Sequence, residues 1–229
     1  MSFSITGKTA IVTGAANGIG LAVARHFLDR GANVMFADMD EARLEAEVGE
    51  EARAEGAVRM FAGDLREKLT IANLLSATID AFDRVDILVN ASRMVKRSEA
   101  LKLGEDAVEE MLQQNLMTSL RVSQMVAKKM IAQAERETDE VGERPPAGVI
   151  LNLSSIAAER TQACLMGYSI ACAAVDQMTR SLAVALAPQG IRVNAIALGS
   201  VLSASLQSAL KETPDWREVI EAGTPLGRI

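Results

Sequence analysis

Two cysteines and one histidine are the only thiol and imidazole side chains in 229 residues. Cys164 and Cys172 form neither a disulfide framework nor a metal-ligand spacing, and His26 alone cannot lead a zinc site, so no metal is expected. A lone helical histidine reads as a surface or packing residue. An excess of one charge is lacking as well. The net charge is −6 and the two signs are interspersed, so no face should attract a phosphate backbone or anionic lipid, and neither nucleic acid nor membrane is an expected partner. No apolar run approaches the ~20 residues of a bilayer span. The few residues before the first strand leave no room for a signal peptide, which points to a cytoplasmic chain.

Hydrophobic residues make up 49% of the chain, enough for one core and a single domain over 1–229. Apolar runs of strand length recur at 9–12, 33–37, 58–62, 87–89, 149–153 and 193–197. Between them, 19–30, 41–55, 68–82, 106–134 and 168–187 carry helical periodicity. Alternating strands and helices predict an α/β fold, a parallel sheet with right-handed crossovers and helices on both faces. The charged stretch 135–146, ending in Pro145-Pro146, has no apolar face and reads as an exposed loop.

Thr13-Gly14-Ala15-Ala16-Asn17-Gly18-Ile19-Gly20 follows the first strand and opens the first helix. Glycine there permits a tight turn and close approach to a pyrophosphate, and the helix start offers unpaired N–H groups and the positive end of a dipole. Asp38 ends the second strand, where a carboxylate can accept from an adenosine ribose and repel a 2′-phosphate, favouring NAD(H) over NADP(H). An alternative is that Asp38 caps the next helix, although Asp40 could do so equally well.

The spacing of Gly14, Gly18 and Gly20 resembles that of the short-chain dehydrogenase/reductase family. Gly63-Asp64-Leu65, Leu88-Val89-Asn90-Ala91, Thr179-Arg180-Ser181-Leu182-Ala183 and Gly190-Ile191-Arg192-Val193-Asn194-Ala195-Ile196-Ala197 are similar to it too. The likeness runs over nearly the whole chain. It implies a Rossmann-type doubly wound parallel sheet in three α/β/α layers. The cofactor residues it implies are Gly14, Asn17, Gly18, Ile19, Gly20, Asp38, Asp64 against the adenine, Leu65, Asn90, Ala91, Tyr168, Gly199 and Val201. Its catalytic pattern maps onto Tyr168 as general acid/base, Ser155 as the group polarising a carbonyl, and Asn115 as holder of a water relay.

The chain departs from the family in three places. Cys172 stands where the family has the lysine that tunes the tyrosine, Ser92 where it has a glycine, and Leu198 where it has a proline before Gly199. A thiol supplies neither a fixed positive charge nor strong hydrogen bonds. Alcohol oxidation, which needs the phenolate, should therefore suffer more than carbonyl reduction. The family also continues past the point corresponding to Ile229 through another helix and strand, so a C-terminally short domain with 193–197 at the sheet edge is expected. The resemblance implies a homodimer through the fourth and fifth long helices, or a homotetramer. It also implies an NAD(H)-dependent oxidoreductase acting on a small alcohol or carbonyl substrate; the alternative is an NAD(H)-binding pseudoenzyme or partner subunit. Segments 93–102 and 200–223 would shape the substrate pocket.

Overall fold

Alternate residues of the first strand feed two different cores. In the computed structural model, which describes residues 4–54, 56–137, 145–212 and 215–229, Ala10 and Val12 point to one face of the sheet and Ile11 to the other. Six strands, β1 (Thr9–Thr13), β2 (Asn33–Asp38), β3 (Val58–Ala62), β4 (Ile87–Asn90), β5 (Gly148–Ser155) and β6 (Ile191–Leu198), form one parallel sheet in the order β3-β2-β1-β4-β5-β6. Helices α1 (Gly18–Asp29) and α2 (Glu41–Arg53) cover one face, where Ala24, Leu44 and Val48 meet Val12, Val34 and Phe36. Helices α3 (Lys68–Phe82), α5 (Thr118–Arg136) and α6 (Met166–Leu186) cover the other, where Ile71, Leu74, Val126 and Met130 meet Ile11, Leu88 and Ile150. This is the three-layer, Rossmann-like single domain expected. On β6, the residues Arg192, Asn194 and Ile196 are exposed in alternation.

The helix expected over 106–134 is not continuous. A short α4 (Val108–Met111) passes into a π-helical turn, Leu112–Met117, before α5 begins. Side chains bond to the widened backbone: Thr118 Oγ1 donates to the Gln113 carbonyl at 3.1 Å and Ser119 Oγ to the Asn115 carbonyl at 2.9 Å. Such turns recur at functional sites. Two further short helices, α7 (Ala204–Glu212) and α8 (Trp216–Ala222), follow β6 in the segment read from sequence only as pocket-forming. Of the expected loop 135–146, Glu135 and Arg136 belong to α5, and 138–144 lie outside the described residues.

One expectation needs correction. The helical stretch Ala163–Gln189 contains an 18-residue window of mean hydropathy 1.3, long and apolar enough to cross a membrane by length and composition. Its leucines, valines, isoleucine and alanines are interrupted by polar residues such as Asp176, Gln177 and Arg180, so no unbroken apolar run marks it. In the fold its α6 portion packs along β5 and β6.

Candidate active site

The strand order reverses between β1 and β4, and the chain leaves both strands at the same edge of the sheet. In open α/β sheets this crevice is where ligands bind. Gly14 turns there with φ +66°, and a Cβ on it would stand 2.7 Å from the Ser92 nitrogen. A Cβ on Gly20 would run into the Gly14 carbonyl. Thr13 Oγ1 clamps the two loops by accepting from the N–H groups of Ala91 and Ser92, each at 3.1 Å. No side chain caps α1 at Asn17, and its first turn holds no acidic residue. The N–H groups of that turn and the positive dipole end are therefore not capped by a side chain of α1 itself. These features fit a dinucleotide diphosphate.

Two carboxylates follow in sequence, Asp38 at the end of β2 and Asp64 just beyond the end of β3. Asp38 accepts from Ala16 N at 3.0 Å and from Asp40 N at 3.1 Å, fastening the glycine loop to the end of β2. The capping role falls to Asp40, which accepts from Arg43 N at the start of α2. Asp64 is held by Arg66 through contacts of 2.6 and 2.9 Å, and that side-chain bond keeps its carboxyl below the usual range. Leu65 is buried in the core. Asn90 turns its side chain inward to Ser123 and Asn152, so Ala91 meets the crevice beside it through backbone. Gly199 and Val201 follow β6 directly, with Val201 exposed.

Ser155 is the last residue of β5 and Tyr168 the third of α6. Ser155 Oγ donates to the Leu198 carbonyl and accepts from Ala157 N, both at 3.2 Å. Tyr168 is 4% exposed. Burial pushes its phenol up to about 12. The charge of Arg93 and a hydrogen bond with Ser155 work against that rise, whereas Cys172 adds to it. Cys172, one turn along the same helix, is itself buried, and its thiol is pushed up by burial although Tyr168 and Arg93 draw it down. The Asn115 carboxamide grips Met94 at both ends, Nδ2 donating to the Met94 carbonyl at 2.9 Å and Oδ1 accepting from Met94 N at 2.8 Å, while Nδ2 also donates to Met111 Sδ at 3.8 Å. It thus holds the loop after β4 against the π-helical turn.

Sequence reasoning missed Arg93, placing it only within a substrate loop. Its Cζ lies 5.7 Å from the Tyr168 ring centroid, and Nη1 donates to the Ser154 carbonyl at 3.1 Å. A basic residue directly after Ala91-Ser92 was the one available signal. Arg97 of the same loop stacks on Trp216 of α8 at 4.9 Å.

The short chain dehydrogenase family profile matches residues 8–214. Galactitol 2-dehydrogenase of Agrobacterium fabrum is 34% identical over 197 residues, spanning 86% of this chain and 72% of that protein. L-fucose dehydrogenase of Mus musculus is 30% identical over 230 residues, 98% of this chain and 77% of the relative. Among solved structures, a candidate gluconate dehydrogenase from Agrobacterium tumefaciens superposes with a TM-score of 0.84 at 27% identity, covering 99% of this chain and 84% of that one. The chain therefore belongs to the short-chain dehydrogenase family, as an oxidoreductase acting on CH–OH and C=O groups.

Proposed function

We propose that the chain interconverts a secondary alcohol and a ketone with NAD(H), and that it works as a cytoplasmic homodimer or homotetramer. The observation that carries this reading is the meeting of Ser155, at the end of β5, with Tyr168, at the start of α6, beside the loop that follows β4. A bound nicotinamide supplies or accepts the hydride. The turn from Gly14 through Asn17, Gly18, Ile19 and Gly20 would hold the diphosphate on the start of α1. Asp38 would take the ribose hydroxyls and repel a 2′-phosphate, and Asp64 and Leu65 would border the adenine. The Asn90-Ala91 backbone, Tyr168, Gly199 and Val201 would line the nicotinamide end.

Tyr168 exchanges a proton at its phenol oxygen, and Ser155 hydrogen-bonds the substrate oxygen. Asn115 anchors Met94 and, with it, the water path beside the tyrosine. A phenol held neutral is ready to donate, which favours carbonyl reduction. The relatives named for galactitol and L-fucose make polyols and sugars the first substrates to try. Leu116, Leu120, Met178 and Leu182 line an open apolar groove between α5 and α6 that suits pairing of two copies.

One observation favours a second reading, an NAD(H)-binding subunit without turnover. Position 172 carries a thiol whose proton burial retains, beside a phenol pushed up to about 12. The deciding experiment follows NADH consumption over a panel of ketones and ketoses with wild type and Tyr168→Phe, while NADH binding is measured by fluorescence. Turnover abolished in Tyr168→Phe supports the enzyme. Binding with no turnover across the panel selects the second reading, and absence of NADH binding overturns both.

A further inference from the structure

The pocket around Tyr168 is poor in charge. Met111, Ala157, Ala171 and Cys172 pack against it, with Met94 and Leu165 at the margin. In such surroundings an ionised phenol is unfavourable unless a positive charge stands near. On α6 the titratable groups acting at this spot are Cys172 and, through the thiol, Asp176; β5 contributes the neutral Ser155. From the loop after β4 comes Arg93, the one cation among the described residues whose charge acts on both Tyr168 and Cys172.

The placement of Arg93 is built rather than incidental. Its root lies immediately beyond Ala91 and Ser92, whose N–H groups Thr13 Oγ1 pins to the end of β1. Its tip is pinned by the Ser154 carbonyl at 3.1 Å, one residue before Ser155. Between these anchors the guanidinium lies over the Tyr168 ring, with Cζ 5.7 Å from the centroid, within the range of a cation–π contact.

We propose that Arg93 is the cation of this active site, a positioning residue that holds positive charge on the face of Tyr168 and sustains its proton exchange where position 172 is a neutral thiol. The proposal rests on the reading of Tyr168 as the proton-exchanging group.

Tyr168 is the single tyrosine of the chain, so tyrosinate absorbance, or the signal of a 13C-labelled tyrosine, reads this phenol alone, without cofactor, substrate or turnover. Wild type, Arg93→Gln, Arg93→Met and Arg93→Lys are titrated upward from neutral pH, with far-UV circular dichroism confirming the fold in each sample. Glutamine can still donate to Ser154 but carries no charge, which separates charge from anchoring. The expected result, at the highest pH at which the compared proteins remain folded, is a phenolate fraction lower by about tenfold in Arg93→Gln and Arg93→Met, restored to within about threefold by Arg93→Lys. A fraction equal to wild type in the uncharged variants overturns the proposal. So does an Arg93→Lys protein no better than Arg93→Gln. If Arg93→Met unfolds, the glutamine and lysine variants decide alone. A phenol that responds as expected in a protein without turnover would leave Arg93 in place and remove the enzymatic reading instead.

Discussion

Asn90 Nδ2 donates to Asn152 Oδ1 at 2.8 Å, across directly opposed positions of β4 and β5. The same amide reaches Ser123 Oγ on α5 at 2.9 Å, and Asn152 Nδ2 continues to Thr179 Oγ1 on α6 at 2.9 Å. All four side chains are buried. This polar chain ties α5 and α6 to the two strands that run into the catalytic end of the sheet. Its members bond one another in a buried setting, which makes loss of any one expensive.

Replacing Asn152 by leucine should therefore destabilise the fold by about 1–3 kcal/mol, because Asn90 and Thr179 each lose a partner inside the protein. The double variant Asn90→Leu/Asn152→Leu should lose less than the sum of the two single changes, since each already breaks the shared bond. Urea unfolding midpoints of the four proteins test this. Strict additivity would mean that the two amides act separately.

At the glycine loop, backbone strain and crowding can be separated. Gly14 and Gly227 have nearly the same φ, +66° and +63°, but a Cβ on Gly14 meets the Ser92 nitrogen at 2.7 Å whereas one on Gly227 meets nothing within 4 Å. Both substitutions to alanine incur left-handed strain, of order 1–3 kcal/mol. Gly14→Ala alone must also push the β1 and β4 loops apart, so it should weaken NADH binding by about tenfold or more, a loss of about 1.4 kcal/mol, while Gly227→Ala leaves binding unchanged. Fluorescence titration with NADH checks the pair, and equal affinities would remove the loop from the cofactor site.

Much of this arrangement was legible before folding because it is local. Strand-length apolar runs separated by helical periods define the layers, and Gly14 to Gly20 can be read because strand, turn and helix are consecutive. Ser155 and Tyr168 fall at the end of one element and the start of the next, so spacing alone brings them near. Arg93 was not legible. Its position depends on the loop after β4 crossing to β5, and no periodicity in 93–102 encodes that. The π-helical turn was hidden for the same reason, since its Asn115 is held by Met94, 21 residues away in sequence. Asn90 was legible as a motif position, but its inward side chain, bonded to Asn152 and Ser123, was not.

The buried phenol also makes stability depend on pH in a definite direction. Folding carries Tyr168 from 10.0 to about 12, so between those values the folded protein keeps a proton that the unfolded chain has lost. Stability from this group is fully present below pH 10 and is lost as pH rises to about 12, a total on the order of 3 kcal/mol. Tyr168→Phe has no such proton. Its urea midpoint should fall less steeply than that of wild type as pH is raised through this window, and parallel slopes would show that the fold does not favour the neutral phenol. Cys172 is raised in the same direction but is present in both proteins.

The last prediction turns on whether position 172 and Arg93 do the same work. Cys172 is buried one helical turn after Tyr168, so a lysine introduced there would put a second cation beside the first, in a pocket where like charges repel strongly. Cys172→Lys should consequently help little when Arg93 is intact. In an Arg93→Gln background the same substitution restores the missing charge and should raise kcat/KM by about tenfold, roughly 1.4 kcal/mol of barrier. The gain should be larger for alcohol oxidation than for carbonyl reduction, because oxidation begins by taking a proton onto Tyr168 and reduction by giving one up. The measurement is kcat/KM in both directions for wild type, both single variants and the double variant. An identical gain from Cys172→Lys with and without Arg93 would mean that the two positions act independently and that the lysine does not replace the charge of the guanidinium.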